Sequence, residues 1–144
     1  NDIKSATSIL YLGDNCGEIC FDKILIKRIK EINPQCQIYF GVRGEAVVND
    51  NTKEDAYFAG MDEVAIVISN GDYALGTILS RTSEEFQKVY READLIIAKG
   101  QANYESLSEE NKNIYFLLMT KCKVIADDIG VKEKSLVCLK NRMV

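Results

Sequence analysis

Apolar runs alternate with helical patterns from one end of the chain to the other. Ser8 to Leu12 is the first run, and it stops at Gly13 and Asp14. From about Gly17 to Ile32 the spacing predicts a helix with Phe21, Ile24, Leu25, Ile29 and Ile32 on one face. Asn33 and Pro34 end it, because proline disfavours helical geometry at the residue before it. Gln37 to Val42 reads as a second strand. Thr52 and Asp55 have the spacing of a capping box and open a helix that ends near Gly60. Val64 to Ile68 is a third strand, Thr82 with Glu85 opens another helix, and Asp94 to Ala98 is a fourth strand. Ser106 with Glu109 opens a helix expected to run to about Met119. Lys123 to Ala126 and Ser135 to Leu139 are expected as two last short strands.

These strands are continuous apolar runs, not alternating ones. That is the pattern of strands buried on both faces, as in parallel sheets. Strand–helix alternation then predicts one α/β domain over residues 1–144, a doubly wound sandwich with helices on both faces of a mostly parallel sheet. No repeat, low-complexity tract or linker interrupts it.

Parallel sheets bind ligands outside the carboxyl ends of their strands. Here the first strand leads into Gly13, Asp14 and Asn15, and the second into Arg43 and Gly44, with Asn49 and Asp50 close behind. The third leads into Ser69, Asn70, Gly71 and Asp72, the fourth into Lys99, Gly100 and Gln101. Asp14, Asn15 and Asp50 are hard oxygen donors of the kind that suits Mg²⁺ or Mn²⁺. Lys99 and Arg43 are cations able to hold phosphate oxygens. The helix start after Asn15 and the glycines at these ends offer N–H groups to an anion. Acidic metal ligands beside phosphate-holding cations are the layout of metal-assisted phosphoryl transfer. Each residue also has a plainer reading. Asp14 or Asn15 could cap the first helix, Asp50 could sit in an Asx turn, and Lys99 could be a solvated surface charge. Cys16, at a helix start, could be a reactive thiol.

Composition narrows the picture. The 144 residues include 18 Lys and Arg against 22 Asp and Glu, a net charge of −4. Without a basic excess, nucleic acid is not an expected partner. The absence of His removes His-based triads and His-ligated zinc, and agrees with an all-oxygen metal site. Five cysteines without C-x-x-C spacing are expected to be reduced, mostly core thiols of a cytoplasmic protein. No run approaches the ~20 apolar residues of a membrane span, so no membrane partner is expected.

Leu12 to Glu18, followed by Phe21 and Asp22, resembles the G-D-N-x-G-E signature of the metal-dependent damage-control phosphatases. That family was long catalogued as a domain of unknown function, and some members were described as protein-glutamate methyltransferases. The likeness continues through Val42-Arg43-Gly44, Asn49-Asp50 with Thr52, Glu54 to Ala56, Ser69 to Gly71 and Gly76-Thr77. It resumes at Ala93 to Ile97, at Lys99 to Gln101 with Asn103 to Glu105, and at Tyr115 to Leu118, Lys121-Cys122 and Val124 to Ala126. The resemblance implies a Rossmann-like domain with one divalent ion (Mn, Mg, Co or Ni) held by Asp14, Asn15 and Asp50. It implies Lys99 on the substrate phosphate, within a substrate-binding set of Arg43, Ser69, Asn70, Lys99, Gly100 and Asn103. The implied substrate is a small phosphorylated metabolite, such as a sugar phosphate or a damaged phosphometabolite. The attacking group would be water or Asp14 itself.

Two residues depart from the family pattern. Cys16 stands where Ala or another small residue is usual, and Ala102 replaces the common Gly of K-G-Q-G-N. If that Gly takes a positive φ, Ala there is strained and shifts Asn103. The family usually carries a helical segment ahead of this domain. This chain is therefore expected to be the C-terminal, catalytic part of a longer protein. The alternatives are a non-catalytic metal- and phosphate-binding domain and an S-adenosylmethionine-dependent carboxyl methyltransferase. The residues from Gly13 to Gly17 lack the glycine-rich loop of the latter, and no G-x-G-x-x-G marks a dinucleotide site.

Overall fold

The apolar runs come together as the strands of one sheet. In the computed structural model, which describes residues 1–141, these are β1 (Ser8–Leu12), β2 (Gln37–Val42), β3 (Ile66–Ser69), β4 (Leu95–Lys99), β5 (Ile114–Met119) and β6 (Leu136–Lys140). The strand order is β3-β2-β1-β4-β5-β6. All neighbours are parallel except β5 and β6. β1 lies at the centre, with Leu12 level with Gly41 on one side and Ala98 on the other.

Side chains alternate across the sheet and feed two cores. Ile9, Tyr11, Ile38, Phe40 and Ile97 pack under α1 (Asp2–Ser5), α2 (Ile19–Ile32) and α3 (Lys53–Phe58). Leu10, Leu12, Ile96, Phe116 and Leu118 pack under α4 (Glu84–Glu92), α5 (Gln101–Leu107) and α6 (Lys123–Ile129). The result is the expected three-layer, doubly wound, Rossmann-like arrangement.

Several elements differ from the sequence reading. The helix expected from Ser106 to Met119 is instead the end of α5, a turn, and strand β5. Ile114, Phe116 and Leu118 are buried in one core while Tyr115 and Leu117 face the other. Such a two-sided strand carries a continuous apolar run, which periodicity alone does not separate from a buried helix. The strand expected at Lys123 to Ala126 is α6, closed by Gly130 at φ +81°, whose N–H reaches the carbonyls of Ala126 and Asp127. β3 starts at Ile66, two residues later than expected, because Val64 and Ala65 bond back to Met61. The cap of α4 is Ser83, whose hydroxyl accepts from Phe86 N at 3.2 Å, while Thr82 donates to Leu79. α2 buries Ile19, Asp22, Ile26 and Ile29, and leaves Phe21 74% exposed along with Ile24. A carboxylate on the buried stripe defeats a count of apolar residues. Only Cys36 of the cysteines is buried, and all five are free thiols. Among the described residues no helix is long and apolar enough to cross a membrane.

Candidate active site

The chain leaves β1 toward β2 and leaves β4 toward β5, so a crevice opens where these two strands end. Such switch points are where doubly wound sheets bind ligands. Backbone bonds zip the loop after β1 to the loop after β2. Asn51 N donates to Asp14 O and Cys16 N to Asn49 O, each at 2.8 Å, and Asn15 and Asp50 form an antiparallel bridge. Asp14, Asn15 and Asp50 are thereby brought together.

None of the three serves as a cap. Asn15 precedes a 3₁₀ turn at Cys16–Glu18 but makes no side-chain cap bond. The reciprocal capping box of α3 belongs to Thr52 and Asp55. Asp50 accepts from Arg43 Nε at 2.7 Å through Oδ2, and both side chains are buried. Oδ1 of Asp50 has no protein donor among the described residues.

Asp14 stands in a tight cradle. Gly100 follows β4 with φ +82°, and a Cβ at that position would lie 2.1 Å from Asp14 Oδ2. No cation pairs with Asp14 among the described residues. Burial raises its pKa most, the charges of Asp50 and Glu18 add to it, and Lys121 and Arg43 oppose; the carboxyl is pushed up to about 6. A half-buried carboxylate near a second, buried one, with an amide on the same loop, is a donor set that a small divalent cation would satisfy. The set has two carboxylates, and among the described residues no group of three or more Cys, Asp or Glu side chains is disposed to hold a metal. Any such site therefore depends on the Asn15 amide.

The other expected substrate contacts have partners within the protein. Arg43 also donates to the carbonyl of Gly76, and its Nη2 is buried without a partner among the described residues. Asn70 Oδ1 accepts from Gly44 N at 3.1 Å and Asp72 N at 2.9 Å, tying two loops together. Ser69 Oγ accepts from Gly71 N at 3.1 Å. Asn103 accepts from Thr77 and donates to Lys99 O and Gly13 O. Gly100 N donates to Leu117 O at 3.0 Å. Ala102 lies within α5, so the position needs no positive φ and Asn103 is seated without strain.

Lys99 is similarly engaged. Its Nζ donates to Glu18 Oε2 at 2.6 Å and Asp22 Oδ1 at 2.7 Å. Burial opposes its charge, but these two carboxylates outweigh that and raise its pKa. Glu18 is held below the usual carboxylate range: burial acts the other way, and the bonds from Lys99 and Asn15 prevail.

The cation that sequence reading left without a role is Lys121. It is exposed, has no ion-pair partner among the described residues, and lies near enough to Asp14 and Glu18 to lower both pKa values. It follows β5, so recognising that strand would have placed it at a fifth carboxyl end. A cavity of about 570 Å³ opens on Glu18, Lys99 and Gly100 and is otherwise walled by apolar residues of β5 and β6, among them Met119 and Leu136.

Comparison with known proteins shows the family of the chain and bears out its fold. The family model of the damage-control phosphatase ARMT1-like domain matches residues 1–137. A damage-control phosphatase of Pyrococcus horikoshii is 42% identical over 98% of the chain and 49% of its own length. A damage-control phosphatase of Archaeoglobus fulgidus is 45% identical over 88% of the chain and 44% of its own length. An uncharacterized protein of Methanocaldococcus jannaschii is 47% identical over 97% of the chain and 47% of its own length. The crystal structure of a DUF89 family protein from P. horikoshii superposes with a TM-score of 0.95 at 42% identity, covering 98% of this chain and 50% of that one. The chain thus spans about half the length of the curated relatives it matches.

Proposed function

The chain belongs to the damage-control phosphatase ARMT1-like domain family, and from that premise we propose that it carries the site of a divalent-metal-dependent phosphatase acting on small phosphomonoesters. The observation that carries this reading is Asp14: a half-buried carboxylate that feels the charges of Asp50 and Glu18, with no cation paired to it among the described residues. Asp14, Asn15 and Asp50 would hold one divalent ion, Mn²⁺, Mg²⁺, Co²⁺ or Ni²⁺. Such an ion, when bound, neutralises charge on phosphoryl oxygens and polarises the phosphorus centre.

The protein's own groups do the rest. Arg43 fixes Asp50 through Oδ2 and leaves Oδ1 available. Gly100 leaves room for the Asp14 carboxylate. Lys121, exposed and without an ion pair among the described residues, would receive the phosphate oxygens as a point charge. The neighbouring cavity, at about 570 Å³, has the size of pockets that take small metabolites.

The test is hydrolysis of p-nitrophenyl phosphate by metal-stripped protein, with each ion restored in turn and then chelated. Turnover should require the ion, and Asp50→Ala should lower it about 100-fold or more. Undiminished turnover in chelator would sink the metal role. Ion binding without turnover would leave the domain as a metal- and phosphate-binding module.

A further inference from the structure

A chain of hydrogen-bonded polar groups, buried at its inner end and half-buried at its outer end, runs from the middle of β1 to the candidate metal ligands. Tyr11, fully buried in β1, donates its hydroxyl to Asp22 Oδ1 at 2.6 Å. The same oxygen accepts from Lys99, whose other bond goes to Glu18 Oε2. The remaining oxygen of Glu18, Oε1, accepts from Asn15 Nδ2 at 3.3 Å, and that nitrogen also lies 3.4 Å from Asp14 Oδ2. Asp22 is 2% exposed, and its Oδ2 is buried without a partner among the described residues. A buried carboxylate with an orphaned oxygen is expensive, and it persists only where its charge holds something else in place.

The geometry points to Lys99 as a positioning residue, not a ligand of the substrate phosphate: held by Asp22, which Tyr11 fixes in turn, it fixes Glu18, and Glu18 turns the Asn15 amide so that its oxygen is presented to the metal. This inference rests on the metal reading above. Three features support it. Both strong bonds of the Lys99 ammonium are spent on carboxylates. An amide whose nitrogen faces two carboxylates must direct its oxygen elsewhere, which is the orientation a cation requires. And Lys121, near enough for its charge to act on Asp14 and without an ion pair among the described residues, supplies a cation that a phosphate would otherwise seek in Lys99.

The experiment measures Mn²⁺ affinity on the metal-stripped full chain by electron paramagnetic resonance, without turnover, and separately KM and kcat for p-nitrophenyl phosphate at saturating Mn²⁺. Lys99→Met and Glu18→Gln should each weaken Mn²⁺ binding about 10- to 100-fold, as loss of a partner behind a metal ligand does. Their KM should stay within about threefold of the parent, the order expected when uniform phosphate binding is untouched. Lys121→Ala should show the reverse split, with raised KM and near-normal Mn²⁺ affinity. Lys99→Arg, which keeps charge and donors, should recover part of the loss. If Lys99→Met does not fold, Glu18→Gln, a half-buried position, carries the same test. Unchanged Mn²⁺ affinity with a raised KM in Lys99→Met would overturn the inference while leaving the phosphatase reading intact. A parent protein that binds no Mn²⁺ would overturn both.

Discussion

Gly100 and Asp14 meet at the narrowest point of the site. An alanine at 100 combines a positive φ with a Cβ only 2.1 Å from a carboxylate oxygen. Gly100→Ala is expected to cost about 1 kcal/mol or more in urea unfolding and to displace Asp14, so that Mn²⁺ affinity falls with it. Asp14 also sets a pH dependence. Its folded pKa of about 6 lies above its unfolded value near 3.8, so from about pH 4 to pH 6 the folded state keeps a proton that the unfolded chain has released. Stability of the metal-free protein should therefore fall as pH rises through that window and stay lower above it. Asp14→Asn should flatten this limb in thermal melts recorded with chelator. Saturating Mn²⁺ should offset it, because the cation favours the charged form.

Local signals at element boundaries differ in how far they can be read. The capping box at Thr52 and Asp55 forms as its spacing predicts, because both partners lie within one turn. At the start of α4 two hydroxyls compete, and Ser83 takes the cap while Thr82 bonds back to Leu79. Ser83→Ala is expected to cost about 1 kcal/mol in chemical denaturation, and Ser83→Asp much less. β5 was illegible for a different reason. Its two faces serve two cores, so no polar face remains to reveal the period. α2 was misoriented because its buried stripe includes Asp22, which pairs with Tyr11 and Lys99, 11 and 77 residues away. No local pattern signals such a partner.

Across the whole molecule, the loops after β1 and β2 carry the proposed metal ligands, and the loop after β4 shapes their cradle. An ion held there would join parts that otherwise meet through a few backbone bonds. At about 100 times its dissociation constant, Mn²⁺ should stabilise the folded chain by about 2.7 kcal/mol and raise Tm by roughly 10 °C, read by differential scanning fluorimetry. Asp50→Ala should abolish that shift. The sequence alone determined the parallel α/β class, the position of four strand ends and the cluster of Asp14, Asn15 and Asp50. These follow from apolar runs and from the rule that parallel sheets bind ligands at their carboxyl ends. Only the tertiary structure decided which cations are free. Lys99 and Arg43 look available in the chain, yet each is held by a carboxylate that folding brings against it. Lys121 looks unremarkable in the chain, yet it ends near Asp14 with no ion-pair partner among the described residues. Burial and charge pairing are properties of the packed molecule, and they select among residues that composition and spacing leave equal.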